Sequence, residues 1–393
     1  MTSTDSDGLQ ALGDAAPTTT ALSGIAAAAL GRPSAVVESA HAAALPLPQL
    51  NMTTGGLWRV QGTARPSGSA DSPAGAAPLP FSTVVKVIQS PLLWPGIGQV
   101  PPHMRDELVR QYPWRTEALV YASELAGALP DGGRLPQVYA INGLDEQRTA
   151  IWLEDVSGTS APWAEETFAA AANWLGRLAG SRSVRDAAPV LDAARDAQKL
   201  RYFVEGVGTM VLIPALRSEE LWRVPAVAAS ATPGLVAGLR AVAGRAYGLV
   251  EEMVAMDQLP AHGDAGPQNF MLQPGGRPFA VIDWGMFRGA CPGFDLSQLL
   301  SGLVNDGVMG GTELGRLGPA CVAAYTEGLA DSGTPVPEYV VRRGHALSMA
   351  LFTGLTAVAS PRLQEPDSEE LRAYMAGRME MAGYLLELLA ATD

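Results

Sequence analysis

The sequence predicts an α+β protein in which a small strand-rich part precedes a larger, mostly helical part. Most runs rich in β-branched residues, such as Phe81–Ile88, occur before about Glu154. From about Ser157 onward, apolar residues recur at the spacing of helical faces. The chain has 393 residues, of which 47% are apolar, so each part can bury a core of its own.

Each element rests on a local pattern. We expect strands where β-branched or alternating apolar residues fill a strand length, at Ala35–Ala43, Leu57–Thr63, Phe81–Ile88, Leu135–Ile141 and Thr149–Glu154. We expect helices where apolar residues recur every three or four positions, at Thr116–Leu129, Glu165–Leu178, Pro189–Tyr202, Val236–Met256, Leu314–Leu329, Tyr339–Ala359 and Glu369–Leu389.

These elements predict a three-part organisation. Residues 1–30 begin with Ser, Thr, Asp and Ala without periodicity, which predicts a disordered arm. Residues 31–156 would form the small antiparallel sheet part, and residues 157–393 the helical part. Pro66–Pro80 consists almost wholly of Pro, Ser, Gly and Ala, so we expect a flexible connection there.

Composition and charge exclude several classes of function. The net charge of −13 leaves no basic surplus for nucleic acid, although a cationic ligand stays compatible with it. No segment approaches the ~20 apolar residues of a membrane span. The only cysteines are Cys291 and Cys321, which argues against a disulfide framework and for a reducing, cytoplasmic location.

The segment from His262 to Trp284, HGDAGPQNFMLQPGGRPFAVIDW, concentrates polar residues around two short strands. Positions 269 and 283 are equidistant from Gly276. If the strands form an antiparallel hairpin centred there, Asn269 and Asp283 emerge side by side at its open end. Asp264 lies in the loop that leads into the first strand, so all three side chains would share one rim.

These residue types suit metal-assisted phosphoryl chemistry. The oxygen ligands of Asn269 and Asp283 suit Mg²⁺, which takes one or two carboxylates together with phosphate and water oxygens. Asp264 would then be available to orient a hydroxyl and accept its proton. The alternative is structural, with one Asp capping a loop, Asn starting a strand and the other Asp ending one.

The pattern His-Gly-Asp, four residues, Asn and then Ile-Asp-Trp resembles the aminoglycoside phosphotransferase and choline kinase-like family, relatives of the protein kinases. The resemblance extends more weakly over Asn51 to Leu389. It implies a bilobed protein-kinase-like fold, with a small antiparallel-sheet N-lobe and a larger, mostly helical C-lobe. It also implies that Asp264 is the catalytic-loop aspartate, and that Asn269 and Asp283 bind the metal.

The departures from protein kinases point to a small-molecule acceptor. His-Gly-Asp replaces His-Arg-Asp, Ile-Asp-Trp replaces Asp-Phe-Gly, and no activation-loop motif ending in Ala-Pro-Glu follows. The resemblance further implies that His262 supports the loop and that Asp295 is the structural aspartate hydrogen-bonded to it.

Lys86 is the candidate cation for the nucleotide phosphates. The chain has 25 Arg and only two Lys, and Lys86 shares the face of its apolar strand with Val84 and Ile88. The following helix offers Glu117 and Glu124 as carboxylate partners, of which we favour Glu117 by resemblance. The alternative is a surface lysine that extends its ammonium to solvent from an edge strand.

Two further segments complete the expected nucleotide site. Gly55 and Gly56 are the only candidates for a glycine loop over the phosphates, since no GxGxxG motif is present. Glu154 and Val156 lie where the two lobes should join, and the family holds the adenine there through backbone groups.

The resemblance implies an enzyme that uses Mg²⁺ and ATP, with GTP as the alternative donor, to phosphorylate a hydroxyl of a small molecule. The acceptor stays open among antibiotics, aminoglycosides, amino alcohols, sugars and nucleosides. A kinase-like pseudoenzyme that binds nucleotide or a partner without catalysis is the alternative function. Neither a membrane nor a nucleic acid is expected as a partner, and the oligomeric state stays open.

Overall fold

A computed structural model of the chain describes residues 6–47, 51–67, 77–156, 163–188, 190–273 and 279–393. By its internal contacts the chain divides into two compact units. The first unit comprises Met1–Ala122 and Leu135–Gly158, and the second comprises Ser123–Arg134 and Thr159–Asp393.

The strands of the described residues fall into three sheets. They are β1 (Ala35–Ala44), β2 (Thr54–Pro66), β3 (Leu79–Gln89), β4 (Gly133–Arg134), β5 (Val138–Gly143), β6 (Arg148–Glu154), β7 (Leu259–Ala261), β8 (Phe270–Leu272), β9 (Phe279–Val281) and β10 (Arg288–Ala290). The first unit holds a five-stranded sheet of order β1-β2-β3-β6-β5, antiparallel throughout. The second unit holds the sheets β4-β9-β8 and β10-β7.

Most of the helices belong to the second unit. The α-helices are α1 (Thr19–Ala29), α2 (Pro102–Gln111), α3 (Thr116–Tyr121), α4 (Leu125–Ala128), α5 (Glu165–Gly180), α6 (Arg182–Ala187), α7 (Ala193–Phe203), α8 (Ile213–Arg217), α9 (Glu219–Trp222), α10 (Pro225–Ala228), α11 (Pro233–Ala255), α12 (Phe294–Asn305), α13 (Leu314–Asp331), α14 (Glu338–Met349) and α15 (Glu369–Ala390). The 3₁₀ segments are Ser6–Ala15, Pro91–Leu93, Pro95–Gln99, Pro267–Asn269, Trp284–Met286, Gly311–Glu313 and Pro361–Gln364, and π-helical turns span Val204–Leu212 and Ala350–Gly354.

The predicted α+β class is confirmed, because an antiparallel sheet part precedes a larger helical part. The predicted strands and long helices occur with ends shifted by a few residues. The helix predicted at Thr116–Leu129 is instead two short helices, α3 and α4, separated by a break at 122–124. Most of the predicted connection Pro66–Pro80 lies outside the described residues.

The five-stranded sheet has two distinct faces, because successive side chains of a strand point in opposite directions. On β3, Phe81, Val85 and Val87 are buried on one face, which we call the outer face. Val84 and Lys86 lie on the opposite, inner face. The two faces therefore have to be covered by different parts of the protein.

The N-terminal segment covers the outer face, and here the structure differs from the expected disordered arm over residues 1–30. The 3₁₀ segment Ser6–Ala15 and helix α1 are ordered. Leu22 and Ile25 are buried in one hydrophobic cluster with Phe81, Val85 and Trp152. The polar composition of the segment hides this role, because a few apolar residues on one side of a short helix suffice to cover the sheet.

The second unit buries its core between helices, and α5 packs along α13. Its core includes a polar residue, His345 of α14, which is fully buried. Among the described residues, neither ring nitrogen of His345 has a hydrogen-bond partner. Burial lowers the pKa of His345 to about 4.

No helix in the described ranges is both long and apolar enough to cross a membrane.

Truncating Ile25 should test whether the N-terminal segment is part of the folded core. Ile25→Ala removes a buried side chain and should lower the free energy of unfolding by about 2–4 kcal/mol. Thr20→Ala, at an exposed position of the same helix, should change it by less than about 0.5 kcal/mol. Urea unfolding measures both, and equal effects of the two variants would mean that the segment does not pack on the sheet.

His345 should make the fold sensitive to acid. Below pH 6.5 the unfolded chain protonates this imidazole, while the folded chain does so only near pH 4. The free energy of unfolding therefore falls as the pH drops through this window, by roughly 3 kcal/mol for a fully buried group. His345→Leu should flatten the pH profile of urea unfolding between pH 7 and 4. An unchanged slope would assign the acid sensitivity to other groups.

Candidate active site

The loop that carries Asp264 follows strand β7 and is anchored by a buried carboxylate. Asp295, in the first turn of α12, accepts the backbone N–H of His262 at 2.8 Å through Oδ2. Its other oxygen, Oδ1, accepts the backbone N–H of Gly263 at 2.9 Å. The expectation that Asp295 hydrogen-bonds to this loop is confirmed.

His262 supports the loop through both ring nitrogens. Nδ1 accepts the backbone N–H of Asp264 at 3.3 Å, so the ring proton belongs on Nε2, which donates to the Ile282 carbonyl at 3.0 Å. Burial lowers the pKa of His262, against the opposing charges of Asp295 and Asp283. The imidazole is therefore neutral, and both nitrogens are used by the backbone.

Gly263 is required at its position for two reasons. Its φ of 84° lies in the left-handed region, which side chains other than glycine rarely adopt. A Cβ at Gly263 would also overlap the carbonyl oxygen of Met286. Since β7 pairs with β10 so that Ala261 faces Arg288, the segment after Asp283 lies against this loop.

Asn269 is tied to Asp264. Its Nδ2 donates to the backbone carbonyl of Asp264 at 2.8 Å and to the carboxylate Oδ2 at 3.3 Å. Because Nδ2 is turned toward Asp264, the Oδ1 atom of Asn269 points away from it. The two residues thus form one small polar group at the start of β8.

The hairpin register differs from the expected one by a single residue. Phe270 faces Val281, and Ile282 donates its backbone N–H to the Asn269 carbonyl at 2.9 Å, so Asn269 lies opposite Ile282 rather than Asp283. The prediction that 269 and 283 are paired is wrong, because six residues, not five, separate the closing pair of Leu272 and Phe279. The predicted turn at residues 274–278 lies outside the described residues.

Asp283 has an unusual backbone conformation. Its φ and ψ are 59° and 63°, and it is the one non-glycine residue with positive φ in the described ranges. This left-handed conformation costs roughly 1–2 kcal/mol. Asp283 lies two residues after the end of strand β9 and directly precedes the 3₁₀ segment Trp284–Met286. The surrounding loop must therefore hold Asp283 in place.

The donor set of the loop and hairpin suits a hard cation only in part. In the described residues, no group of three His, Cys, Asp or Glu side chains is arranged to hold a metal. Asn269 and Asp283 offer oxygen atoms, which fits an ion that completes its shell with phosphate and water oxygens. These oxygen donors thus fit Mg²⁺ in the company of a phosphate ligand better than they fit a metal alone.

In the first unit, the candidate phosphate-binding lysine is paired with a carboxylate. Lys86 Nζ lies 2.7 Å from Glu117 Oε2, and their side chains are 11% and 3% exposed. Glu124, the other candidate partner, is exposed. Lys86 projects from the inner face of a central strand, so it is not a surface lysine on a sheet edge.

The other nucleotide-site candidates lie at the ends of the same sheet. A Cβ at Gly56 would overlap the Trp58 ring, so packing already accounts for this glycine, while one at Gly55 would meet the Gln89 side chain. Glu154 donates its backbone N–H to the Gln137 carbonyl at 2.8 Å, and its carboxylate accepts the N–H of Gln137. Val156 is half-buried and follows β6.

Sequence reasoning missed two residues near these positions. Trp284 is fully buried, donates its Nε1–H to the Val281 carbonyl at 2.8 Å and packs its ring 4.8 Å from that of His262. The tryptophan directly after Asp283 was a signal for this packing. Asp155, between Glu154 and Val156, accepts hydrogen bonds from other strands, for which the sequence gives no local signal.

A family model defines the class of this chain as a phosphotransferase. The family model described as APH, phosphotransferase enzyme family, matches residues 116–335, more than half of the chain. The chain belongs to this family, as the sequence resemblance implied. The match includes Glu117, Asp264, Asn269 and Asp283, while Lys86 precedes it.

Similar solved structures have low sequence identity. They include a macrolide 2'-phosphotransferase type I (16% identity, TM-score 0.41, covering 90% of this chain and 94% of that one). Others are amicoumacin kinase in complex with AMP-PNP, Ca²⁺ and Ami (12%, 0.43, 87% and 88%) and a Plasmodium vivax ethanolamine kinase (10%, 0.44, 90% and 84%). At these values none of them identifies an acceptor. A comparison with curated proteins gives no match.

The anchoring role of Asp295 can be tested by exchanging one carboxylate oxygen for an amide. Asp295→Asn turns an NH₂ group toward a backbone N–H and leaves that donor unsatisfied, so the free energy of unfolding should fall by about 1–3 kcal/mol. Asp331→Asn, at an exposed position, is the control and should be neutral. Urea unfolding of both variants decides, and an Asp295→Asn variant as stable as the control would exclude the anchor.

Proposed function

We propose that this chain is an ATP-dependent phosphotransferase that transfers the γ-phosphate to a hydroxyl group of a small molecule. GTP is the alternative donor. In this proposal the sheet unit binds the nucleotide, and the helical unit carries Asp264 and the acceptor site. Glu154 and Val156 would contact the base through backbone atoms, and Gly55 and Gly56 would lie over the phosphates.

The observation that carries the proposal is the buried ion pair between Lys86 and Glu117. Burying an ammonium and a carboxylate costs several kcal/mol in desolvation, which a single ion pair only partly offsets. An inner-face lysine held by a glutamate therefore suits a functional role, and contact with the α- and β-phosphates of a nucleotide would supply one.

Asp264 would act on the acceptor. The acceptor oxygen forms a bond to the γ-phosphorus while the bond from that phosphorus to the β–γ bridging oxygen breaks, and ADP leaves. The hydroxyl proton passes to the carboxylate of Asp264. The hydrogen bonds from Asn269 to Asp264 would fix the orientation of this carboxylate for the reaction.

Asn269 and Asp283 would hold Mg²⁺. When bound, this ion would neutralise negative charge on the phosphate oxygens of the donor. The left-handed conformation of Asp283 supports a functional role, because a strained residue persists only where the surrounding structure maintains it.

The acceptor is a small molecule with a free hydroxyl, in a range that includes antibiotics such as aminoglycosides, amino alcohols, sugars and nucleosides. The net charge of −13 is compatible with a cationic acceptor. A panel of these compounds, assayed for Mg²⁺-dependent ADP release from ATP, tests the proposal. If none of these compounds causes ATP consumption although the protein binds the nucleotide tightly, the pseudoenzyme alternative would be favoured.

Replacing the proposed base should separate chemistry from binding. Asp264→Asn should lower kcat by roughly 10²-fold or more, while the Kd for ATP changes little, because the carboxylate acts on the acceptor. Asp257→Asn, at an exposed position upstream of the loop, is the matched control and should keep full activity. More than about a tenth of the wild-type rate in Asp264→Asn would remove this residue from the mechanism.

The two lysines of the chain allow a matched test of the phosphate contact. Lys86→Arg keeps the charge but replaces a compact ammonium by a planar group, so kcat/KM for ATP should fall roughly tenfold or more. Lys199→Arg is the control, since Lys199 is also buried beside a carboxylate, 3.5 Å from Asp196. Steady-state kinetics with melting temperatures of both variants decide. A fully active Lys86→Arg enzyme would contradict the proposed role.

A further inference from the structure

The inner face of the five-stranded sheet carries a second ion pair at a distance from Lys86. Arg59, on β2, donates its Nε–H to Asp155 Oδ2 at 2.9 Å. The Arg59 side chain is 43% exposed and that of Asp155 15%. Ser82, on β3, donates its hydroxyl to the same Oδ2 atom at 2.5 Å. Side chains of two strands therefore converge on one carboxylate, which directly follows β6.

The strand register fixes the separation of the two ion pairs. Lys86 faces Leu57 across β2 and β3, and Arg59 faces Val84 in the same register. Arg59 is thus two residues, or ~7 Å, along the sheet from Lys86. Ser82 lies a further two residues in the same direction, away from Gly55 and Gly56.

The surface between the two pairs is apolar. Val84 and Leu57 are partly exposed there, and Leu153, which faces Val84 across β3 and β6, is buried. An apolar strip flanked by a cation at each end suits a flat, uncharged ring attached to an anionic group. A nucleotide has this form, with its base on the strip and its phosphates at one end.

The direction of the nucleotide follows from the proposed function, on which this step rests. Lys86 and the two glycines lie at the same end of β2 and β3, so the phosphates belong at that end. The base then lies toward Asp155, in the register of Val84 and Arg59.

Arg59 has the capacity to contact a base. Within the described ranges, its only hydrogen-bonded atom is Nε, so neither Nη group is committed. The bond to Asp155 orients the plane of the guanidinium, and Ser82 orients Asp155 in turn. A guanidinium so held stacks on aromatic ring faces, which an ammonium does less well because it lacks a plane.

We propose that Arg59, oriented by Asp155 and Ser82, stacks on the base of the donor nucleotide and is a determinant of nucleotide affinity. Since stacking uses the ring face and not its edge, ATP and GTP should both depend on it. This role distinguishes Arg59 from Lys86, whose contact would be with the phosphates.

Binding of ATP, GTP and inorganic tripolyphosphate to the full-length protein, measured by calorimetry in the presence of Mg²⁺, tests the assignment. Arg59→Met should weaken ATP and GTP alike, roughly 3- to 30-fold, and leave tripolyphosphate unchanged because it has no base. Lys86→Met should instead weaken all three ligands. Arg59→Lys should weaken nucleotide binding in the same way as Arg59→Met. It keeps the positive charge, but it lacks the planar guanidinium that stacks on the base.

Arg65→Met is the matched control. Arg65 lies on the same strand, is 41% exposed and is paired with Glu38, but it is ~20 Å farther along the strand. It should bind every ligand as the wild type does. Asp155→Asn should weaken ATP less than Arg59→Met and add nothing in the Arg59→Met background, since it acts through the arginine.

Each other result has a distinct meaning. ATP affinity of Arg59→Met equal to that of the control would overturn the role of Arg59, with the proposed function intact if Lys86→Met still loses binding. Weaker tripolyphosphate binding in Arg59→Met would make Arg59 a phosphate contact, and loss confined to one nucleotide would make it an edge contact. Both results refute stacking. Wild-type protein that binds no nucleotide would refute the proposed function and this inference together.

Discussion

The geometry of the loop around Asp264 depends on the buried carboxylate of Asp295. Its two oxygens each accept one backbone N–H, from His262 and Gly263, so neither peptide can rotate without leaving a buried donor unsatisfied. Burial raises the pKa of Asp295, and the two N–H groups together with His262 oppose that effect. These two hydrogen bonds therefore fix the backbone of the loop independently of the side chains of the site.

From that anchor, the remaining contacts follow in sequence. His262 can accept from Asp264 through Nδ1 only as a neutral ring, and its buried position keeps it neutral. Its Nε2 then reaches the carbonyl of Ile282, the residue before Asp283. One imidazole thus connects the Asp264 loop with the turn in which Asp283 takes its left-handed conformation. Hydrogen bonds from this imidazole thus hold the backbone at both aspartates in place.

The sheet unit differs from the loop region, because its two faces carry different kinds of side chains. The outer face is apolar and is covered by the N-terminal segment, in which Leu22 and Ile25 join the core. The inner face keeps Lys86 and Arg59 beside carboxylates, with apolar residues between them. Packing of the outer face against the N-terminal segment stabilises the sheet whose inner face carries the two cations. The N-terminal helices thereby support the inner face without touching it.

Much of the site was predictable because its signals are local. Side-chain periodicity predicts the strand around Lys86. A short stretch of sequence contains Asp264, Asn269 and Asp283 at a recognisable spacing. The roles proposed for these residues came from the family resemblance, and the family itself is confirmed. The α+β class was predictable for the same reason, since most strand patterns precede most of the long helical patterns along the chain.

Long-range packing decided what the sequence left open or misjudged. The sequence by itself determined the fold class and the family, because both can be recognised from residue types at short spacing along the chain. Only the tertiary structure decided that Glu117 is a partner of Lys86, that the hairpin register is shifted by one residue, and that Asp155 binds Arg59. It alone placed the N-terminal segment on the sheet. Each of these depends on contacts between residues far apart in the chain, where local periodicity carries no information.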